Sequence, residues 1–335
     1  MRARYRVVEF AFPTLKPLRL PFMFLRQMFQ LLWYGTRAEA IICMFAGYHS
    51  LLPALFGRIA GIPVVIMPGG ADSNTLDEVG YGNYRKPLMA WATRRSLHMA
   101  RAIAPVHERL VNTINDYVDP PRPQGFAYYC PHLKVPIVPI HNGYDTRLFQ
   151  DLGTERPPAS FLTLATRLDN PVRTAIKGVD LVIEAARAMP HCKFTLLGAS
   201  GEIKDIPPNC TVLPHVPNAQ LVQHYNRHTF YLQLSMTEGF PNALAEAMLC
   251  GCIPITSTVG AMPDMVGDAG YLLAKREVIQ LIALLNTSLS QPTEPLRKMA
   301  RNQIASRFTL EARQTALFKL MEGLRNNSAP VASHL

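Results

Sequence analysis

The 335-residue chain has no run long and apolar enough to cross a bilayer. Its two most apolar stretches, residues 20–34 and 51–68, are interrupted by Arg26 and Arg58, and a spanning helix needs about 20 apolar residues in succession. The start MRARYRVVEF carries charge but no apolar core of a secretory leader. No internal repeat or low-complexity tract appears, which excludes a solenoid, and a hydrophobic content of 48% excludes general disorder. Metal-binding patterns are missing too. There is no DxD motif, and no pair of the six cysteines has zinc-site spacing. His224 and His228 stand at i and i+4 with no third ligand nearby in sequence. The dispersed cysteines, set in apolar stretches, read as buried reduced thiols of a cytosolic protein. No interleaved basic and aromatic pattern marks a nucleic-acid module.

What is present is an excess of positive charge in one half. Residues 1–150 hold 17 Lys+Arg against 9 Asp+Glu, a surplus of eight, whereas residues 151–335 hold 17 against 15, a surplus of two. A basic first half suits an anionic partner such as a membrane surface. Short apolar runs alternate with amphipathic ones. Strands are expected over 5–12, 40–45, 63–67, 101–106 and 135–140, then over 161–166, 193–198, 211–214, 230–235 and 253–258. They are continuously apolar, the mark of parallel sheet covered on both faces. Helices are expected over 22–33, 86–99, 179–189, 218–226, 243–250, 276–289, 296–307 and 310–324. The first puts Phe22, Leu25, Phe29 and Leu32 on one face, with Arg26, Gln27 and Gln30 opposite. This alternation predicts an α/β protein of two Rossmann-like domains, 1–152 and 153–325, facing across a cleft, with a frayed tail over 326–335.

The richest segment is TEGFPNALAEAMLCGCIPITSTVGAMPDMVG, residues 237–267. Glu238 falls in a Gly/Pro turn after a strand, and Pro241-Asn242 reads as a helix entry. The first turn of that helix would present N–H groups and the positive end of its dipole to an anion such as a diphosphate. Glu246, early in the helix, could accept hydrogen bonds from ribose hydroxyls. Upstream, Arg167 follows one expected strand and Lys177 precedes Gly178 at a helix entry, so two cations could meet a departing diphosphate. His49, on a loop after an expected strand, reads first as a structural histidine satisfied by its neighbours.

These residues resemble the GT-B glycosyltransferases of family 4, also called the group 1 glycosyl transferases, over nearly all of 40–325. Glu238 and Glu246 match that family's E-x7-E pattern. TRL…KGVD holds Arg167 and Lys177, VPIHNGYDTRLF (138–149) matches the segment ahead of the second domain, and Gly198 matches a glycine ending a strand. The resemblance implies a GT-B fold with a shortened first domain. It also implies a retaining hexosyltransferase; the missing DxD with Arg167 and Lys177 points to metal independence, and the charge surplus with the apolar-basic helix near 22–33 to a cytoplasmic protein peripheral on a membrane. Such an enzyme moves sugar from a nucleotide-diphosphate donor to a glycan, lipid-linked or other hydroxyl acceptor in cell-surface polysaccharide or glycolipid synthesis. Glu238, Arg167 and Lys177 would be catalytic. Glu246, Gly239, Phe240, Asn242, Ala243, Leu244, Gly198, His215 and Val216 would bind the donor, with Gly69 and Gly70 from the first domain. No cofactor and no metal are expected. Two departures stand out: RARYRVVEF resembles the family's second strand rather than its first, and Pro68 occupies the place of a histidine. The same motifs also accommodate an inactive GT-B-like subunit that binds a partner or membrane, and a GT-B epimerase or phosphorylase.

Overall fold

The computed structural model describes residues 4–12, 19–166, 168, 170–201, 203 and 205–325, so the expected tail over 326–335 lies outside the described residues. They divide into two compact units, within Met1–Thr113, Gln124–His141 and Glu311–Leu335, and within Ile114–Pro123 and Asn142–Leu310.

In the first unit three parallel strands, β1 (Ile41–Met44), β2 (Val64–Met67) and β3 (Ala102–Ile103), lie in the order β1-β2-β3. They are flanked in sequence by α1 (Leu20–Tyr34), α2 (Tyr48–Ala60) and α3 (Pro87–Met99). Alternate residues of the strands serve opposite faces. Cys43, Val64 and Ile66 pack with Leu97 of α3. Val65 and Met67 pack with Leu317, Leu320, Met321 and Leu324 near the end of the chain. With both faces covered, the strands are apolar throughout, as parallel sheet requires. Segment 135–140, expected as a strand, adds a partial fourth rung. Val138 N–H donates to the Ile103 carbonyl and Ile140 N–H to that of Pro105, while Ile103 N–H donates to Pro136. Pro136, and Pro105 on the facing segment, have no N–H to give, so the ladder stays incomplete. Segment 5–12, also expected as a strand, forms none: Val7, Val8 and Phe10 are exposed, and rings hold it instead, Tyr5 to Phe318 and Phe10 to Tyr34. The second helix was not foreseen. Its run LLPALFG gave no clear 3.6-residue stripe, although Gly61 at φ 71° closes it as a left-handed cap.

A short ribbon pairs β4 (Thr113–Asn115) with β5 (Arg122–Gln124), and α4 (Phe126–Tyr129) follows. The second unit then alternates β6 (Ser160–Leu164), α5 (Pro171–Lys177), α6 (Val179–Ala188), β7 (Lys193–Ala199), β8 (Cys210–Pro214), α7 (Asn218–Asn226), β9 (Phe230–Gln233), α8 (Asn242–Leu249), β10 (Ile253–Ser257), α9 (Met262–Val266) and β11 (Tyr271–Leu273). Helices α10 (Val278–Leu289), α11 (Thr293–Arg307) and α12 (Leu310–Arg325) complete the described chain. The six strands are parallel, in the order β11-β10-β9-β6-β7-β8. The chain therefore winds from β6 toward β8 on one side and from β9 toward β11 on the other. Phe161 of β6 stacks between Phe194 and Phe230 of its two neighbours, with ring centroids 5.0 Å away on each side.

A single boundary at 152/153 does not describe this division. Residues 142–152 fall in the second unit, and all of α12 after Leu310 falls in the first. The apolar stripe of α12 announces that it will be buried but not on which sheet. All six cysteines are free and buried, and burial pushes the thiols of Cys43 and Cys252 up to about 12.

Replacing Phe161 by Ala removes a fully buried ring from the centre of the second sheet. The cost should be about 3–5 kcal/mol, read as a lower urea midpoint for that unit.

Candidate active site

In a parallel sheet, ligands collect beyond the carboxyl ends of the strands where the winding reverses. Here that point lies between β6 and β9, which pair with each other and run outward to opposite edges. The chain after β6 leads to Lys177, and the chain after β9 leads to Glu238.

Two backbone features bring them together. Met236 N–H donates to the Ile176 carbonyl at 2.8 Å. Next to it Gly178, at φ 68°, lies so close to Leu234 that a Cβ would strike the Leu234 carbonyl oxygen, with the carbonyl carbon 2.8 Å away. The result is an ion pair, Lys177 Nζ to Glu238 Oε1 at 2.5 Å, with both side chains mostly buried. The same carboxylate oxygen accepts from Ser235 Oγ at 2.8 Å and from Gln233 Nε2 at 3.0 Å. Gln233 Oε1 in turn accepts from the buried Tyr231 hydroxyl at 2.9 Å. Tyr231, Gln233 and Ser235 alternate along one face of the chain leaving β9. That period of two, polar within an apolar strand, was the available signal for Gln233 and Ser235, which the sequence reading missed.

Helix α8 starts at the expected entry, with Pro241 as its N-cap residue. The side chain of Asn242 is engaged: its Oδ1 accepts from Tyr144 OH at 2.9 Å and from Asn142 Nδ2 at 3.2 Å. Phe240 packs its ring against Phe308, centroids 5.1 Å apart, and Leu244 is fully buried, so these two offer a ligand backbone only. The turn before α8 is fixed from behind, where Ala261 N–H donates to the Gly239 carbonyl at 3.0 Å. Glu246 Oε2 accepts from Tyr225 OH at 3.1 Å. Burial lifts the Glu246 carboxyl above its ordinary 4.5, partly offset by that hydrogen bond. Gly198, the next-to-last residue of β7, has φ 116°, and any side chain there would meet the Ala165 carbonyl. His215 is exposed and Val216 half-buried in the loop after β8. Arg167 lies outside the described residues.

In the first unit, Gly69 and Gly70 follow β2 as expected, but their amides are committed. Both donate to Asp72 Oδ1 at 3.0 Å, while Asp72 Oδ2 accepts from Ala46 N–H at 2.7 Å. One buried carboxylate thus ties together the loops that follow β1 and β2. The space a side chain would take at Gly69 is filled by the ring of Phe45. These loops line a cavity of about 350 Å³, with Tyr48, Tyr81, Asn83 and Met89 on its walls. His49 directs Nε2 at the Met44 and Phe45 carbonyls, 2.7 and 3.0 Å away, so it is a structural histidine. His228 is likewise engaged through both ring nitrogens, with the His224 carbonyl and Thr195 Oγ1.

Among the described residues one trio has the donor atoms for a metal: His107, Glu108 and His141 in the first unit. Sequence reading missed it, because residues 107 and 141 meet only through the 135–140 rung. Glu108 Oε2 lies 3.1 Å from His141 Nε2 and 3.5 Å from His107 Nε2, and the hydrogen bond from His141 holds the Glu108 carboxyl down at about 2. His107 Nδ1 accepts the Arg109 N–H at 3.2 Å, so its proton sits on Nε2. The Glu108 carboxylate thus accepts from His141 and faces His107, and one ligand atom from each of the three lies within 4.8 Å of the other two.

Comparison with known proteins bears on the family of the second unit and on the fold. Residues 172–307 match the family Glycosyl transferases group 1, so the second unit carries a glycosyl transferases group 1 domain. A phosphatidylinositol N-acetylglucosaminyltransferase subunit of Arabidopsis thaliana is 25% identical over 171 residues, which cover 47% of this chain and 37% of that relative. The chain thus spans under half the length of this curated relative. Two solved structures share the fold over 92% of the chain. They are sucrose-phosphate synthase from Thermosynechococcus elongatus (TM-score 0.67, 17% identity, 79% of that chain) and HepE from Anabaena in complex with UDP and glucose (0.66, 16%, 83%). The protein has the GT-B fold of these glycosyltransferases.

Gly260, at φ 56°, places its backbone against Glu238, where a Cβ would lie 2.9 Å from the carbonyl carbon. Gly153 has a similar φ of 66° but nothing within 4 Å. Gly153→Ala should cost about 1–2 kcal/mol for the left-handed backbone alone, and Gly260→Ala clearly more. Equal losses in paired thermal unfolding would mean the Glu238 turn is not held by this contact.

Proposed function

We propose that this chain transfers a sugar, with retention of configuration, from a nucleoside-diphosphate sugar to a hydroxyl acceptor. The observation that carries the reading is the Lys177–Glu238 pair at the switch point of the second sheet, beside the first turn of α8. The solved complex of HepE with UDP and glucose supports the donor class.

On this reading the diphosphate meets Lys177, Arg167 and the backbone N–H groups of Asn242, Ala243 and Leu244. The Gly239–Phe240 backbone and Glu238 face the sugar, and the ribose hydroxyls donate to Glu246 Oε1, since Oε2 already takes Tyr225. His215 and Val216 meet the base, with Gly198 leaving room beneath. Positive charge at the leaving group comes from Arg167 and Lys177, so no divalent ion is required. Pro68 supplies no base. As the bond from the anomeric carbon to the diphosphate oxygen breaks, the acceptor hydroxyl attacks from the same face and passes its proton to the departing phosphate oxygen. The new glycosidic bond then keeps the donor's configuration. The acceptor is a glycan or lipid-linked hydroxyl taken by the first unit at the cytoplasmic face of a membrane, in cell-surface polysaccharide or glycolipid synthesis.

Lys177→Ala should lower kcat by ~10²-fold, and wild-type turnover should survive EDTA. An inverted anomeric product by proton NMR, or activity restored only by magnesium or manganese, would overturn this mechanism.

Glu246 must be ionised to accept both ribose hydroxyls. Its raised pKa means that nucleotide affinity is full above that value and falls as pH drops through it, earlier than for an ordinary carboxylate. Glu246→Ala should weaken calorimetric binding by about 1.5–3 kcal/mol and remove this pH dependence. Unchanged affinity would exclude the ribose role.

A further inference from the structure

The first helix is inside out. A surface helix ordinarily buries its apolar face and shows its polar one. Helix α1 buries Met23 and Leu31. Its polar Gln27 is half-buried and donates from Nε2 to the His49 carbonyl at 2.7 Å. The apolar stripe of this helix lies outward: Phe22 is 68% exposed, Phe29 61% and Trp33 66%, with Leu25, Met28 and Leu32 exposed between them. Helices packed onto it in series add more, Leu55 and Ile59 on α2 and Leu88 and Trp91 on α3. Both tryptophans of the chain are therefore exposed, and both belong to this unit.

We infer that this face docks on an anionic lipid bilayer, with α1 lying in the interface plane. The charge pattern selects that occupant. Residues 10–38 contain Lys16, Arg19, Arg26 and Arg37 and no Asp or Glu. Arg26 is exposed among the apolar side chains, and the Arg37 guanidinium stands 5.9 Å from the Trp33 ring centroid. An apolar face with Trp, Phe and Leu, with Arg26 and Arg37 beside it and no acidic residue on the helix itself, is the pattern of interfacial helices. A second copy on the same face would set these cations against their equals with no acidic residue of the stretch to answer them. The described N-terminal segment is already engaged elsewhere, with Phe12 against Phe24 and Phe10 against Tyr34, off the outward stripe. Docking here would hold the first unit at the bilayer surface and narrows the proposed acceptor to a lipid-linked one. That last step rests on the transferase reading, while the docking does not.

The test is co-sedimentation of the full chain with vesicles of equimolar phosphatidylglycerol and phosphatidylcholine, against vesicles of phosphatidylcholine alone. Binding to the anionic vesicles should fall as salt rises. A Trp91→Phe chain, whose emission comes from Trp33, should shift to the blue on binding. Phe29→Glu and Trp33→Glu, both at exposed sites, should weaken partition by about tenfold or more without changing thermal unfolding. Failure to bind either vesicle at low salt, or binding indifferent to both substitutions, would overturn the proposal. So would a dimer in light scattering that Phe29→Glu dissociates, which would make a second copy the occupant. Donor turnover on a soluble acceptor is read separately, so loss of docking and loss of transferase activity are distinguishable.

Discussion

The site in the second unit depends on one close approach of backbone to backbone. The turn at Ile176–Gly178 and the strand exit at Leu234–Glu238 touch through the Met236 N–H to Ile176 carbonyl bond and through the bare Cα of Gly178. Neither is a strong interaction alone, since a backbone hydrogen bond contributes ~1 kcal/mol net. Their effect is positional. They fix where Lys177 leaves its helix and where Glu238 leaves its turn, so the two charges meet without either long side chain having to search. Gly260 does the same from the other side of Glu238. Glycine is needed at these positions because the passing carbonyls occupy the volume a Cβ would fill, and at Gly178 and Gly260 because φ is positive as well.

The pair so formed is costly to leave unanswered. Lys177 and Glu238 are largely out of water, and a carboxylate taken from solvent must recover its lost hydration from fixed donors. Glu238 Oε1 recovers it threefold, from Lys177, Ser235 and Gln233. Lysine is the more mobile member, a point charge on a flexible stem, whereas Glu238 has two further donors to hold it. An arriving diphosphate can therefore compete for Lys177 while Ser235 and Gln233 keep Glu238 in place. A carboxylate held so can orient a sugar hydroxyl without being carried along by the leaving group.

How much of this was legible in the sequence varies with the kind of signal. Local chemistry was readable: the entry at Pro241-Asn242, the positions of Lys177 and Glu238 at element ends, and the parallel strands betrayed by unbroken apolar runs. Long-range pairing was not. Nothing in the stripe of α12 says that it crosses back to cover Val65 and Met67. Asp72 gives no hint in sequence that it will gather amides from residues 46, 69 and 70, because the loop after β1 is 26 residues away. The His107–Glu108–His141 cluster is invisible for the same reason. Where prolines interrupt an apolar run, as at 135–140, the sequence shows an extended segment but not that its pairing will remain incomplete.

Helix α1 marks a different limit. A 3.6-residue period reports that one face of a helix is apolar, not that the face is turned inward. Ordinarily burial supplies the missing sign, because ~25 cal/mol per Å² of apolar surface favours the core. Here the inward side is fixed by other contacts: Met23 and Leu31 fill the packing face, and Gln27 satisfies a carbonyl at the start of α2, where an aliphatic residue would leave that group unanswered. The apolar stripe is what is left over after those requirements are met. In water alone it is a cost that a polar substitution would remove at no loss of packing, and an apolar surface laid against it, such as the bilayer interface proposed above, would offset that cost.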